Sequence, residues 1–156
     1  LLVLAACGGD APEAVTTTTS VIPTSSTTST TAADQLISFE AITVTISGDT
    51  WTVAVADTPA LRAQGLMGVT DLGELDGMLF VFERNVSNGF WMKDTPIPLD
   101  IAFFDVDGVL VDLLTMTPCE SDPCPIYSPA GEYRYAIETG VGRGDAVDQP
   151  ELVLGD

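Results

Sequence analysis

Histidine is absent from these 156 residues. The absence removes the commonest general base and the commonest zinc ligand together, so Ser-His, Cys-His and histidine-metal mechanisms are excluded within the chain. Basic residues are nearly as scarce: 5 Lys and Arg stand against 23 Asp and Glu, for a formal net charge of −18. A binder of DNA or RNA needs a basic footprint, so nucleic acid is not an expected partner. Direct attraction to anionic lipid headgroups is not expected on the same ground. The acidic residues are scattered rather than massed in a tail, which suits a solvated surface. No apolar run in the sequence reaches the roughly 20 residues of a membrane-spanning helix, so membrane contact would have to come through an anchor. Cysteine is limited to Cys7, Cys119 and Cys124. An odd count of three fits one modified residue and one pair.

The first residues point to the modified one. Leu1 to Ala6 are apolar or small and run into Cys7-Gly8, the pattern of a secretory hydrophobic region meeting a small-residue cleavage site. Leu4-Ala5-Ala6-Cys7 matches the bacterial lipobox, in which the signal peptide is cut before the cysteine and its sulfur receives a diacylglycerol. Residues 1–6 are therefore expected to be the remnant of a lipoprotein signal peptide. Residues 7–34 then follow as a lipidated cysteine and a tether. The stretch APEAVTTTTSVIPTSSTTSTTAAD is rich in Thr and Ser with almost no apolar periodicity, so it cannot repay the entropy of ordering. A flexible tether of this length spans on the order of 27 Å on average. The expected location is the extracytoplasmic face of a bacterial membrane.

Residues 35–156 are expected to form one domain, for which this length is sufficient. Ile42, Val44 and Ile46 alternate with Thr43 and Thr45, and Trp51, Val53 and Val55 alternate with Thr52 and Ala54. That period of two predicts a hairpin across Ser47-Gly48-Asp49-Thr50, with a Gly-first turn. Thr58-Pro59 supplies an N-cap and a first-turn proline for a short helix over 60–67, with Gly68 to stop it. Further strands are expected over 77–82, 90–93, 101–106, 109–116 and 133–138. Asp107-Gly108 is a hairpin signal; it also opens like a calcium loop, but Leu110 and Val111 occupy later ligand positions. Many short strands, one short helix and frequent turns predict a mainly β fold: a single compact β-sandwich or small barrel.

Several blocks of this sequence, among them Phe103-Phe104-Asp105-Val106-Asp107-Gly108 and Pro118-Cys119 with Pro123-Cys124-Pro125-Ile126-Tyr127, resemble one family. The others are Ala60-Leu61-Arg62-Ala63-Gln64-Gly65-Leu66-Met67-Gly68, then Gly77-Met78-Leu79-Phe80-Val81-Phe82, then Phe90-Trp91-Met92-Lys93-Asp94-Thr95-Pro96-Ile97-Pro98-Leu99-Asp100-Ile101, and finally Tyr135-Ala136-Ile137-Glu138. Together they are similar to the family of domain of unknown function 192. The resemblance runs from about Trp51 to the C-terminus and implies a compact, mainly β, often exported domain without supplying a reaction. Two departures bear on any polar site. The family usually has Asn where this chain has Asp94, and often a basic residue near Val69. The family's closing strand would begin about where this sequence stops at Gly155-Asp156, so the last strand is expected to be truncated.

Candidate functional residues are Arg62, Trp91, Lys93, Asp94, Asp100 and Glu138. Pro96 and Pro98 make the segment after Lys93 extended and unable to continue a ladder. A rigid segment of this kind could set Lys93 and Asp100 at the rim of an apolar pocket lined by Phe90, Trp91 or Met92, with Arg62 and Glu138 joining it. The competing reading is structural: a buried salt bridge and a turn-capping Asp that clamp the loop. Asp94 and Asp100 could also serve as the paired carboxylates of a hydrolase. Cys119 and Cys124 are expected to form a structural disulfide in an exported protein, because the neighbouring Glu120 and Asp122 disfavour a reactive thiolate. A redox dithiol is the weaker alternative. No cofactor and no metal are expected. The expected function is a membrane-anchored extracytoplasmic lipoprotein whose domain binds a small molecule, an envelope polymer or an envelope protein.

Overall fold

The structure, a computed structural model, describes residues 36, 38–143 and 151–155. Cys7 and the expected tether lie outside the described residues. No helix among the described residues is long and apolar enough to cross a membrane.

The first hairpin joins β1 (Glu40–Ile46) to β2 (Asp49–Ala56). Its register runs from Glu40 opposite Val55 to Ile46 opposite Asp49, so the ladder continues through Asp49 and Thr50. The turn is therefore Ser47-Gly48 alone, and both residues have positive φ, 52° and 91°. Two positive φ values in a two-residue loop are the type I′ pattern, whose twist matches that of the flanking strands, in place of the expected Gly-first turn. Helix α1 (Pro59–Gln64) begins as expected: the Thr58 side chain accepts from the Leu61 N–H, and Pro59 occupies the first turn. It ends earlier than expected, because Gly65 takes φ 49° and returns its N–H to the Leu61 carbonyl.

After α1 the chain enters β3 (Gly77–Val86), which pairs parallel with β2. The remaining strands are β4 (Phe90–Trp91), β5 (Leu99–Phe104), β6 (Leu110–Met116), β7 (Ile126–Tyr127), β8 (Tyr133–Gly140) and β9 (Leu152–Leu154). Seven of them form one sheet in the order β6-β5-β8-β3-β2-β1-β9, while β4 and β7 make a separate ribbon. The sheet curls into a half-barrel, the nearer of the two expected architectures being the small barrel. Its two ends meet where Leu152 donates its N–H to the Gly108 carbonyl at 2.8 Å and Val109 bridges Glu151. Only glycine fits at 108: φ is +82°, and a Cβ would stand 2.1 Å from the Leu152 carbonyl oxygen. The preceding Asp105 fastens the same turn by accepting the N–H groups of Asp107 and Val109, each at 2.9 Å. This is a hairpin turn, as its sequence implies.

Two cores lie on opposite faces of the sheet. One contains Val44, Trp51, Leu79, Phe104, Ile137 and Leu152. Because its members come from strands at both ends of the sheet order, it fills the concave side. The other is built on Phe80, Ile101, Phe103 and Ala136 and is covered by Leu66, Val69 and Met92 from the connections. Phe103 meets Tyr133 and Phe90 edge to face at 4.8 and 5.7 Å between centroids. Such pairs each add about 0.5–1.5 kcal/mol beyond the burial of their area. The Cys119–Cys124 disulfide is formed, closing a short loop ahead of β7.

Candidate functional site

Alternation along β8 decides where Glu138 goes. Ala136 lies in the core covered by the connections, and Glu138, two residues on, occupies the same face. Its register neighbours are Met78 on β3 and Ile101 on β5, both fully buried and apolar. Glu138 itself is 5 % exposed. No side chain or backbone group among the described residues hydrogen-bonds its carboxyl, and burial pushes its pKa up from 4.5 to about 8. Burial thus favours the uncharged, protonated form, which can donate a hydrogen bond.

The carboxyl borders a recess of about 40 Å³ that Arg62, Leu66, Trp91 and Thr95 also line. This recess shares Arg62, Ala63, Phe80, Phe90 and Trp91 with an open cleft of about 580 Å³. The two adjoin across these shared residues and are treated together as one groove, with Glu138 at its smaller part and Phe82, Arg84 and Asn88 at its wider part. Helix α1 supplies Arg62, whose Nη1 donates to the carbonyls of Asp57 and Val81. Its guanidinium also lies 5.0 Å from the centre of the Phe82 ring. These contacts hold the side chain without using a carboxylate. Trp91, on the short β4, is 47 % exposed and forms a flat apolar wall. Tyr133 lines the cleft and donates its hydroxyl to the Asn88 carbonyl at 2.8 Å, tying β8 to the segment that leads into β4.

Of the six candidate residues, the structure brings Arg62, Trp91 and Glu138 together at this groove. It places the other three elsewhere. The chain turns after β4, with the Thr95 N–H donating to the Met92 carbonyl, so Met92 is buried and Lys93 is directed outward. Lys93 pairs with Asp122 at 3.3 Å, and the two side chains are 35 % and 71 % exposed. The clamp imagined as a buried salt bridge is therefore a surface pair, of a kind worth about 0–1 kcal/mol. Asp94 takes φ 53°, a conformation that Asn and Asp tolerate better than other side-chain-bearing residues. The Asp94 carbonyl accepts the Gly68 N–H at 2.7 Å, joining the end of the helical connection to the loop. Lys93 and Asp94 line a shallow pocket beside the disulfide, away from the groove.

Asp100 lies inside β5, 2 % exposed, and accepts hydrogen bonds from the Thr115 hydroxyl at 2.7 Å and the Gly142 N–H at 2.6 Å. This is the turn-capping Asp of the structural reading. The carboxylate pair imagined from Asp94 and Asp100 does not assemble, since one is on an exposed loop and the other is enclosed in hydrogen bonds.

Arg84, Phe82 and Asn88 were not among the candidates. The strand expected over 77–82 continues to Val86, and Phe80, Phe82, Arg84 and Val86 line the cleft at a spacing of two. Extending the alternation past Phe82 is the signal that identifies them.

The family model of domain of unknown function 192, described as an uncharacterized ACR, matches residues 42–149. No curated protein matches the chain. Two solved structures are similar to it. One is a protein of unknown function from Novosphingobium aromaticivorans, 26 % identical with a TM-score of 0.66, the match covering 74 % of this chain and 86 % of that one. The other, from Sinorhizobium meliloti, was put forward as a transcription regulator; it is 29 % identical with a TM-score of 0.64 over 73 % of this chain and 93 % of that one.

Proposed function

The chain belongs to the family of domain of unknown function 192, and from that membership and the groove we propose that it is a lipid-anchored extracytoplasmic protein whose domain binds a small molecule or a segment of an envelope polymer. The single observation behind the binding role is the Glu138 carboxyl: buried, without a partner, and bordering a recess that adjoins an aromatic cleft. Among the described residues only Arg134 Nε is fully enclosed without a partner, so the Glu138 oxygens keep some contact with the recess. A polar group so poorly solvated and unpaired costs folding free energy, of the order of 1–3 kcal/mol. Groups of that kind concentrate where a ligand completes them. The lipid anchor rests on the lipobox at Cys7 and the spacer behind it.

Binding is favoured over carboxylate-dependent hydrolysis because the Asp94 and Asp100 pair does not form at the groove, leaving Glu138 as the one candidate carboxyl in the recess. Thiol-disulfide chemistry draws no support from the groove, to which neither cysteine contributes. Trp91 supplies the readout, since the other tryptophan, Trp51, is only 4 % exposed. Screening small metabolites and envelope saccharides by tryptophan fluorescence is expected to find a saturable change that Glu138→Leu abolishes. A library with no hit, or a hit that Glu138→Leu binds equally well, overturns the binding role.

A further inference from the structure

The groove has a charge opposite in character to the rest of the chain. Acids outnumber bases 23 to 5, yet Arg62 and Arg84 both line the cleft. Among the described residues the ion pairs use Lys93 and Arg143, with Asp122 and Asp76. Neither Arg62 nor Arg84 has a carboxylate partner, although Glu83 stands at the same rim. Arg62 spends Nη1 on two carbonyls, which leaves Nη2 and Nε unengaged, and Arg84 is exposed with no hydrogen bond. Two unpaired guanidiniums in one cleft of so acidic a protein call for an anionic group, and the planar fork of Arg matches a carboxylate. The field of the remaining acids does not forbid it, because screening limits that field to about 8 Å at physiological ionic strength.

The recess adds a second requirement. At about 40 Å³ against about 580 Å³ it is far smaller than the cleft, so it takes a small polar substituent rather than a ring. The Glu138 proton and the Thr95 side chain face such a group, so a hydroxyl suits it. Exposed Trp91, which lines both the recess and the cleft, offers a flat face for the C–H side of a ring. We infer that the groove takes an acidic sugar of the uronate type: its carboxylate meets Arg62 and Arg84, its ring lies on Trp91, and one hydroxyl enters the recess to bond Glu138.

This ligand class rests on the binding role of the groove, and the test separates the two. Glucuronic acid, an oligomer of glucuronic acid, glucose and glucosamine are titrated into the full chain and followed by tryptophan fluorescence. Glucuronic acid, alone or as the oligomer, is expected to bind at least about 10-fold more tightly than glucose or glucosamine, as befits a hydrogen bond to a charged group. Arg84→Gln, at an exposed position without partners, is expected to weaken that binding about 10-fold and to leave the melting temperature unchanged. Tighter binding of the oligomer identifies a polymer as the source, and equal affinity a free acid. If glucose or glucosamine binds as well as glucuronic acid, or Arg84→Gln changes nothing, the acidic ligand is overturned while the groove remains a binding site. If no sugar binds, the acidic sugar is overturned, and the wider fluorescence screen alone decides the binding role.

Discussion

Asp100 and Glu138 lie one register step apart on adjacent strands and face opposite sides of the sheet. Ile101 is opposite Glu138 and Asp100 is opposite Thr139. Both acids are buried, but Asp100 accepts from Thr115 and Gly142 while Glu138 has no partner. Removing each should therefore act in opposite directions. Asp100→Ala leaves a hydroxyl and an N–H unsatisfied and is expected to cost about 2–4 kcal/mol. Glu138→Leu replaces an unpartnered polar group with an apolar one and is expected to stabilise by about 1 kcal/mol. Urea denaturation at pH 7 measures both, and a Glu138→Leu protein less stable than wild type would contradict the unpartnered state.

The proton on Glu138 links stability to pH. In the unfolded chain this group ionises near 4.5, whereas in the folded protein burial holds the proton to about 8. Between those values the folded state binds the extra proton, so stability falls as pH rises. The slope is at most about 1.4 kcal/mol per pH unit, and the loss is complete above the folded value. The difference in unfolding free energy between wild type and Glu138→Gln, measured from pH 5 to 8, isolates this contribution. A difference that stays flat or rises with pH would show that the carboxyl is solvated.

Closure of the half-barrel depends on Gly108. Gly108→Ala forces a side chain into left-handed backbone and against the Leu152 carbonyl. A loss on the order of 2 kcal/mol or more is expected, with faster amide exchange at Leu152. Unchanged exchange would show that the two ends of the sheet do not need each other.

Reducing the Cys119–Cys124 bond releases a loop of sequence separation 5. The chain-entropy estimate for so short a loop is roughly 2 kcal/mol. Calorimetry with and without reductant is expected to show a lower melting temperature, with the far-ultraviolet circular dichroism unchanged below it. Loss of the β signal at 25 °C would assign the bond a larger role than closing one loop.

The lipobox predicts that the mature protein starts at Cys7 and carries a thioether-linked diacylglycerol. Mass spectrometry of membrane fractions should find that lipid mass, and globomycin should cause the uncleaved form to accumulate. An N-terminus at any other residue removes the anchor from the proposal.

Most of the strands were legible because their cause is local. Alternation of Val and Ile with Thr specifies an extended chain with one buried face, and Thr58-Pro59 specifies where a helix starts whatever packs against it. The disulfide was legible from the cysteine count and the absence of histidine. Strand neighbours were not legible. The parallel pairing of β2 with β3, and the meeting of β9 with the turn at Gly108, join residues distant in sequence through backbone hydrogen bonds that no local pattern encodes. The site divided in the same way. Arg62, Trp91 and Glu138 could be named as candidates from residue type and surroundings, but so could Lys93, Asp94 and Asp100. Only the packed sheet decided among them, because a side chain's partner depends on which face it occupies and which strand lies beside it. On that basis Asp100 found Thr115 and Gly142, Lys93 found Asp122 at the surface, and Glu138 was left with a recess and no partner.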